Sequence, residues 1–145
     1  MTARRSIAVL GAALAFGVSG IAAAEDAIPN LIGTWTGTFT GGVRSGGGDL
    51  APADQKPTFV NENMNRVYTL KIDEQQGRSI IGTWSSISGS ERIQGVVRLD
   101  NQTVLFVDMD SYQTAKVISA SELEFCNQTT NTKDMFAFCF LLKRQ

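Results

Sequence analysis

Histidine is missing from this 145-residue chain. Its absence removes imidazole acid–base catalysis, the histidine-dependent serine triads, and His-ligated zinc or haem. A mechanism built on Asp, Glu and Tyr alone stays chemically open, but no constellation of those residues stands out. Cysteine is nearly as scarce, with two residues, so no cysteine-rich metal site or disulfide-dense scaffold can be built. Charge of one sign is also lacking: the formal net charge is −1, and no basic run or acidic tail occurs along the chain. Nucleic acid is therefore not an expected partner. No stretch carries a helical period, and the one long apolar run, Ile7 to Val18, falls short of the roughly 20 residues that a membrane helix needs.

That run belongs to an address. Arg4 and Arg5 precede it, and Ala22-Ala23-Ala24 supplies the small-x-small pattern of a signal peptidase site. Residues 1–24 are thus expected to be a signal peptide removed before Glu25. General secretion fits better than twin-arginine export, because Ser6-Ile7-Ala8 matches the latter poorly. A periplasmic or secreted location follows, with no membrane span in the mature chain. Residues 25–145 then form one domain of about 120 residues, with room for a single modest core.

Two copies of one phrase organise that domain: Gly33-Thr34-Trp35-Thr36-Gly37 and Gly82-Thr83-Trp84-Ser85-Ser86. In each, a glycine lies two positions before an indole on one strand face, where it makes room for a bulky ring across a curved sheet. Around the first copy, Leu31, Gly33, Trp35, Gly37 and Phe39 share one face and Ile32 with four threonines shares the other. Residues 41–57, rich in glycine and proline, are expected to form a long flexible loop. An extended piece at Thr58 to Val60 and strands at Arg66 to Asp73, Ser79 to Ser86, Arg92 to Leu99, Thr103 to Met109 and Tyr112 to Ile118 follow. A last hairpin pairs Glu122 to Cys126 with Phe136 to Lys143. With Thr58 to Val60 set aside, the pattern is all-β and predicts a single eight-stranded antiparallel up-and-down β-barrel. The alternative is a β-sandwich. Eight strands enclose an interior that side chains fill or that holds one small ligand, and closure removes aggregation-prone edges.

In an exported chain, Cys126 and Cys139 are expected to oxidise. If they face one another, Phe125 opposes Phe140, Leu123 opposes Leu142 and Glu122 opposes Lys143, whereas a one-residue slip loses every pair. A structural role is expected rather than a redox one, since the spacing is far from Cys-x-x-Cys.

The candidate ligand-binding residues are Tyr68, Trp84, Asp108 and Tyr112. Asp108, Asp110 and Tyr112 alternate, so a continuous strand would project them from one face, where a carboxylate accepts a ligand N–H and the phenol donates to a ligand carbonyl. The competing reading is a solvated turn at Asp110-Ser111. Calcium needs more oxygen ligands than this segment offers, so no metal and no cofactor is expected. Trp35 and Trp84 either line a cavity or fill the core. Asn101-Gln102-Thr103 and Asn127-Gln128-Thr129 match the glycosylation acceptor pattern and are taken as turn residues.

Leu31-Ile32-Gly33-Thr34-Trp35 resembles the first strand of avidin-type barrels, and its Gly-x-Trp is similar to the lipocalin opening. An avidin-like chain implies an eight-stranded, often tetrameric barrel that binds biotin with several tryptophans. This chain departs from that pattern, since no tryptophan follows Trp84, and biotin binding is not carried over. A lipocalin implies a deep cup for apolar ligands. Small exported barrels that inhibit metalloproteases resemble the chain in size, export and single disulfide. The expected function is an exported, non-enzymatic binding barrel for a small amphiphilic ligand. The alternative is a filled barrel that engages a protein partner, as a protease inhibitor or an envelope component.

Overall fold

The computed structural model describes residues 27–46, 56–61, 66–130 and 134–145. The expected signal peptide and the middle of the expected 41–57 loop lie outside these residues. The strands are β1 (Gly33–Thr38), β2 (Gly41–Gly46), β3 (Thr58–Asn61), β4 (Val67–Gln76), β5 (Ser79–Ser86), β6 (Gly89–Val97), β7 (Thr103–Val107), β8 (Ser111–Ser119), β9 (Glu122–Thr130) and β10 (Asp134–Arg144). All pairings are antiparallel, and consecutive strands from β4 to β10 are neighbours. β10 returns to β1 through Trp35 opposite Arg144 and Thr36 opposite Lys143, which closes the sheet.

Ten labelled strands make eight staves. β1 and β2 follow one another along β10, with the register slipping by one residue between them. β3 and β4 lie along the other side of that first stave. The fold is a closed eight-stranded antiparallel barrel, as the alternation predicts, and not a sandwich.

The loop expected over 41–57 is corrected at its start, since residues 41–46 pair with β10, while the extended piece expected at Thr58 to Val60 is strand β3, paired with β2. The glycines there serve close approach instead of irregularity. A Cβ on Gly42 would stand 2.7 Å from the Ala137 carbonyl oxygen, so only glycine lets β2 lie against β10. Asn127 to Thr129 likewise belong to β9, with Asn127 buried inside the barrel, instead of forming a turn.

The two Gly-x-Trp phrases prove to be lateral neighbours. Gly33, Ile72 and Gly82 lie in one row across β1, β4 and β5, and Trp35, Leu70 and Trp84 lie in the next. Gly82 fits because any Cβ would run into the Lys71 carbonyl. The inward residues form one continuous core that includes Trp35, Leu70, Ile93, Phe106, Phe125 and Leu142. Trp35 is core at the base of the barrel. Its Nε1 donates to the Leu31 carbonyl at 3.0 Å, and the Arg144 guanidinium lies 4.3 Å from its ring centroid. Arg144 also donates to the carbonyls of Asn30 and Ile32, which pins the segment before β1 under the barrel.

The last hairpin has the expected register at every pair: Cys126 with Cys139, Phe125 with Phe140, Leu123 with Leu142 and Glu122 with Lys143. The disulfide is formed, with Cα atoms 4.0 Å apart, on the outer face, and Lys143 Nζ approaches Glu122 at 3.7 Å. Because the bridge restricts the unfolded chain, replacing both Cys126 and Cys139 by Ser should lower stability by about 3 kcal/mol. Urea unfolding of the two forms measures this, and equal midpoints would contradict it.

Candidate functional site

The two ends of the barrel differ. The base is covered by the segment before β1, and the hollow beside it, lined by Ile28, Ile32 and Gln75 among others, gathers no charged side chain. At the opposite end, the mouth, where β5 turns into β6 and β7 into β8, polar groups of the described residues converge around a cavity.

Asp108 builds the β7–β8 corner. Its Oδ1 accepts the backbone N–H groups of Asp110 (3.1 Å) and Ser111 (2.7 Å). Its Oδ2 accepts the Ser111 hydroxyl (2.7 Å) and Gln113 Nε2 (2.5 Å). An aspartate whose carboxylate folds back on the next two or three amides is strong turn chemistry. This turn interrupts the strand and resets its alternation: Ser111 and Gln113 face inward and are buried, while Tyr112 faces outward and is 62% exposed. The expectation that Asp108, Asp110 and Tyr112 share one face is therefore corrected. Tyr112 pairs with Val107 on the outside and does not join the pocket.

Tyr68, Trp84 and Asp108 do come together, around a cavity of about 210 Å³ in the mouth. Tyr68 stacks on Trp84 with centroids 5.1 Å apart, and Trp84 stacks on Phe125 at 4.5 Å. The aromatic column of the core thus rises to form one wall of the pocket. Arg44 and Arg66 line it from the first two staves, and Glu91, Asp108 and Asp110 from the staves across the barrel. Beneath them the Ser111 hydroxyl, whose proton goes to Asp108, lies 3.3 Å from Asn127 Oδ1, and Asn127 Nδ2 donates to Thr129 at 2.8 Å.

Carboxylate oxygens of Glu91, Asp108 and Asp110 all lie within 4.8 Å of one another. Desolvation raises the pKa of Glu91 above its ordinary value, and the negative charges of Asp108 and then Asp110 push it further the same way. Gln113 is 2% exposed; its Nε2 is committed to Asp108 and Ser111, whereas its buried Oε1 has no partner. Three carboxylates and an amide oxygen are the donor types a hard cation takes. Asp108, however, already accepts four hydrogen bonds.

Glu91, Gln113, Arg44 and Arg66 escape the sequence reading. Glu91 had a readable signal: it stands two residues before Ile93, on the inward parity of β6. Gln113 had none, because its direction depends on the turn that Asp108 makes. No protein-family model matches the chain, and neither curated proteins nor solved structures give a significant match. The class is therefore defined by the fold, an all-strand eight-stranded barrel compatible with a lipocalin-like or avidin-like architecture.

Since the folded state raises the Glu91 pKa, its protonation favours folding, and the ionised form is a penalty at higher pH. Glu91→Gln should therefore raise the thermal midpoint at pH 7. The gain should vanish below about pH 4, where the carboxyl is protonated in the unfolded chain too. Parallel melts at the two pH values check this, and a gain that is the same at both would contradict it.

Proposed function

We propose that this chain is an exported, non-enzymatic binding barrel whose interior is a filled scaffold and whose mouth takes a small amphiphilic ligand. The observation that carries the reading is the convergence at one end of an aromatic wall, Tyr68 and Trp84, with opposed charged groups around a cavity of about 210 Å³. Apolar walls with a few convergent polar groups are the usual make-up of a small-molecule site. Size limits the ligand. The cavity is below the roughly 300 Å³ of common ligand pockets but above the roughly 150 Å³ that accepts benzene, so it holds a ring-sized group. A lipocalin-like cup deep enough for an apolar tail is at odds with a core in which Phe106, Phe125 and Leu142 are fully buried.

Export is supported by the charged, apolar and small-residue pattern of residues 1–24 and by a disulfide, which persists in oxidising compartments. The non-enzymatic reading rests on the lack of histidine and on the tying of Asp108 into a turn.

A second reading, an interaction protein, is favoured by the outer face. Val96 pairs with Leu105 and Val107 with Tyr112, all exposed, beside a fully exposed Met109. Native mass spectrometry of the mature chain purified from its own host separates the two. The expected result is a one-to-one adduct of a small molecule that is lost on denaturing extraction. A bare oxidised chain, or one that travels with another protein, would overturn the small-ligand reading.

A further inference from the structure

We propose that the mouth takes ligands with a carboxylate head on a ring-sized apolar body, and that Arg66 is the residue that receives the head. The proposal rests on the mouth being a binding site and names the chemistry it takes.

The direction of Arg66 follows from register. β1 and β4 pair as far as Thr38 opposite Val67, and the Phe39 amide continues that ladder by donating to the Arg66 carbonyl at 2.9 Å. Residues opposite one another across a ladder share a side of the sheet. Phe39 points inward and is 2% exposed, and Tyr68 and Leu70, two and four residues beyond Arg66, are buried in the core. Arg66 is therefore an inward residue, half-buried, one step above Tyr68 in the wall of the cavity.

Nothing among the described residues answers its charge. The Arg66 guanidinium makes no ion pair, side-chain hydrogen bond or ring contact with them. Arg44, the other cation of the mouth, already has a partner, which leaves Arg66 as the available one. A guanidinium does not lose its proton in a protein, and a charge drawn out of water without a partner is costly. Its donors form a planar fork that a carboxylate matches with two parallel hydrogen bonds.

The wall below suits an apolar body. Tyr68 and Trp84 stack 5.1 Å apart, Phe138 stacks on Tyr68 at 5.5 Å, and all three line the cavity of about 210 Å³. A ring laid on this wall displaces water from beside Arg66, and the ionic hydrogen bonds strengthen as the local dielectric falls.

The acids across the mouth do not supply the missing partner. Asp108 commits both oxygens to four donors of its own corner, and Asp110 already has a partner. Glu91 stands opposite Trp84 on β6, where burial and then the charges of Asp108 and Asp110 favour its neutral form. None of the three forms an ion pair with Arg66. Their field instead sets where an anion sits, on the Arg66 side of the cavity and away from the β7–β8 corner.

Isothermal titration calorimetry on the disulfide-intact mature chain tests this with phenylacetate, 2-phenylethanol and phenethylammonium, which share a ring and differ in the head. Phenylacetate should bind at least about tenfold more tightly than the alcohol, the worth of one charge-assisted hydrogen bond, and the amine more weakly than either. Arg66→Gln should bring the acid down to the level of the alcohol. Arg66→Lys, which keeps the charge and loses the fork, should recover only part of the preference. Arg92→Gln removes a cation from the outer face of β6, beside inward Ile93, and should leave all three affinities unchanged. Equal affinity for acid and alcohol, a preference for the amine, or an acid preference that survives Arg66→Gln would overturn the inference and leave the mouth site standing. No saturable heat from any of the three would remove both the inference and the mouth reading.

Discussion

Closure of the sheet between its first and last staves is the contact on which the rest of the molecule depends. β10 holds β9 on one side and the β1–β2 stave on the other, and the direct β1–β10 seam is short: Trp35 opposite Arg144 and Thr36 opposite Lys143. A sheet this twisted with two open edges would expose unpaired amides and leave its concave face wet. Closed, it converts every inward residue into core. The seam tolerates no bulk, because Gly42 lies where a side chain would meet the β10 backbone. The disulfide then ties β9 to β10 just where β10 must present its other edge, so the stave that closes the barrel is also the one covalently fixed.

From closure follows the division of the interior. Near the base Trp35 and Leu70 lie with Ile72, Ile93 and Leu142 around them, and Arg144 and the segment before β1 lie beneath. The Trp35 N–H finds the Leu31 carbonyl, and Gln75 accepts from the Leu31 N–H and donates to the Pro29 carbonyl. Toward the mouth the inward positions turn polar, to Ser111, Gln113 and Asn127, each buried. Burying such groups is unfavourable unless they are paired, and the network from Asp108 through Ser111 to Asn127 and Thr129 pairs nearly all of them. Among these inward mouth groups the Gln113 carbonyl oxygen is the atom left without a partner. A protein that needed only a stable barrel would be served as well by apolar residues at these positions, which is why the mouth, and not the core, is read as the functional end.

Much of the fold was legible because it follows from period-two alternation and from pairing rules. Gly82 and Trp84 announced a curved sheet, and the cysteine register followed from matching apolar with apolar and Glu122 with Lys143. What failed did so for local reasons. Residues 41–46 read as loop because glycine disfavours strands in isolation, yet β10 demands glycine there. Uninterrupted alternation through Asp108 to Asp110 would point Tyr112 inward, but the turn that is the competing expectation consumes those residues. Tyr68, Trp84 and Asp108, expected together, line one cavity, whereas the meeting of Glu91 with Asp108 and Asp110 depends on how β6 is staggered against the β7–β8 corner. Linear spacing does not carry that information.

The cavity exists only if the barrel is closed, since an open sheet has no mouth in which Arg66, Trp84, Glu91 and Asp110 can surround it. Native-state amide hydrogen exchange, followed residue by residue by NMR on the mature oxidised chain, addresses this most directly. The prediction is that the hydrogen-bonded amides of the β1–β10 and β2–β10 seam exchange only as slowly as those shared by β4 and β5, through global opening. Fast exchange along the seam with the β4–β9 amides still protected would show an open sheet and contradict the account.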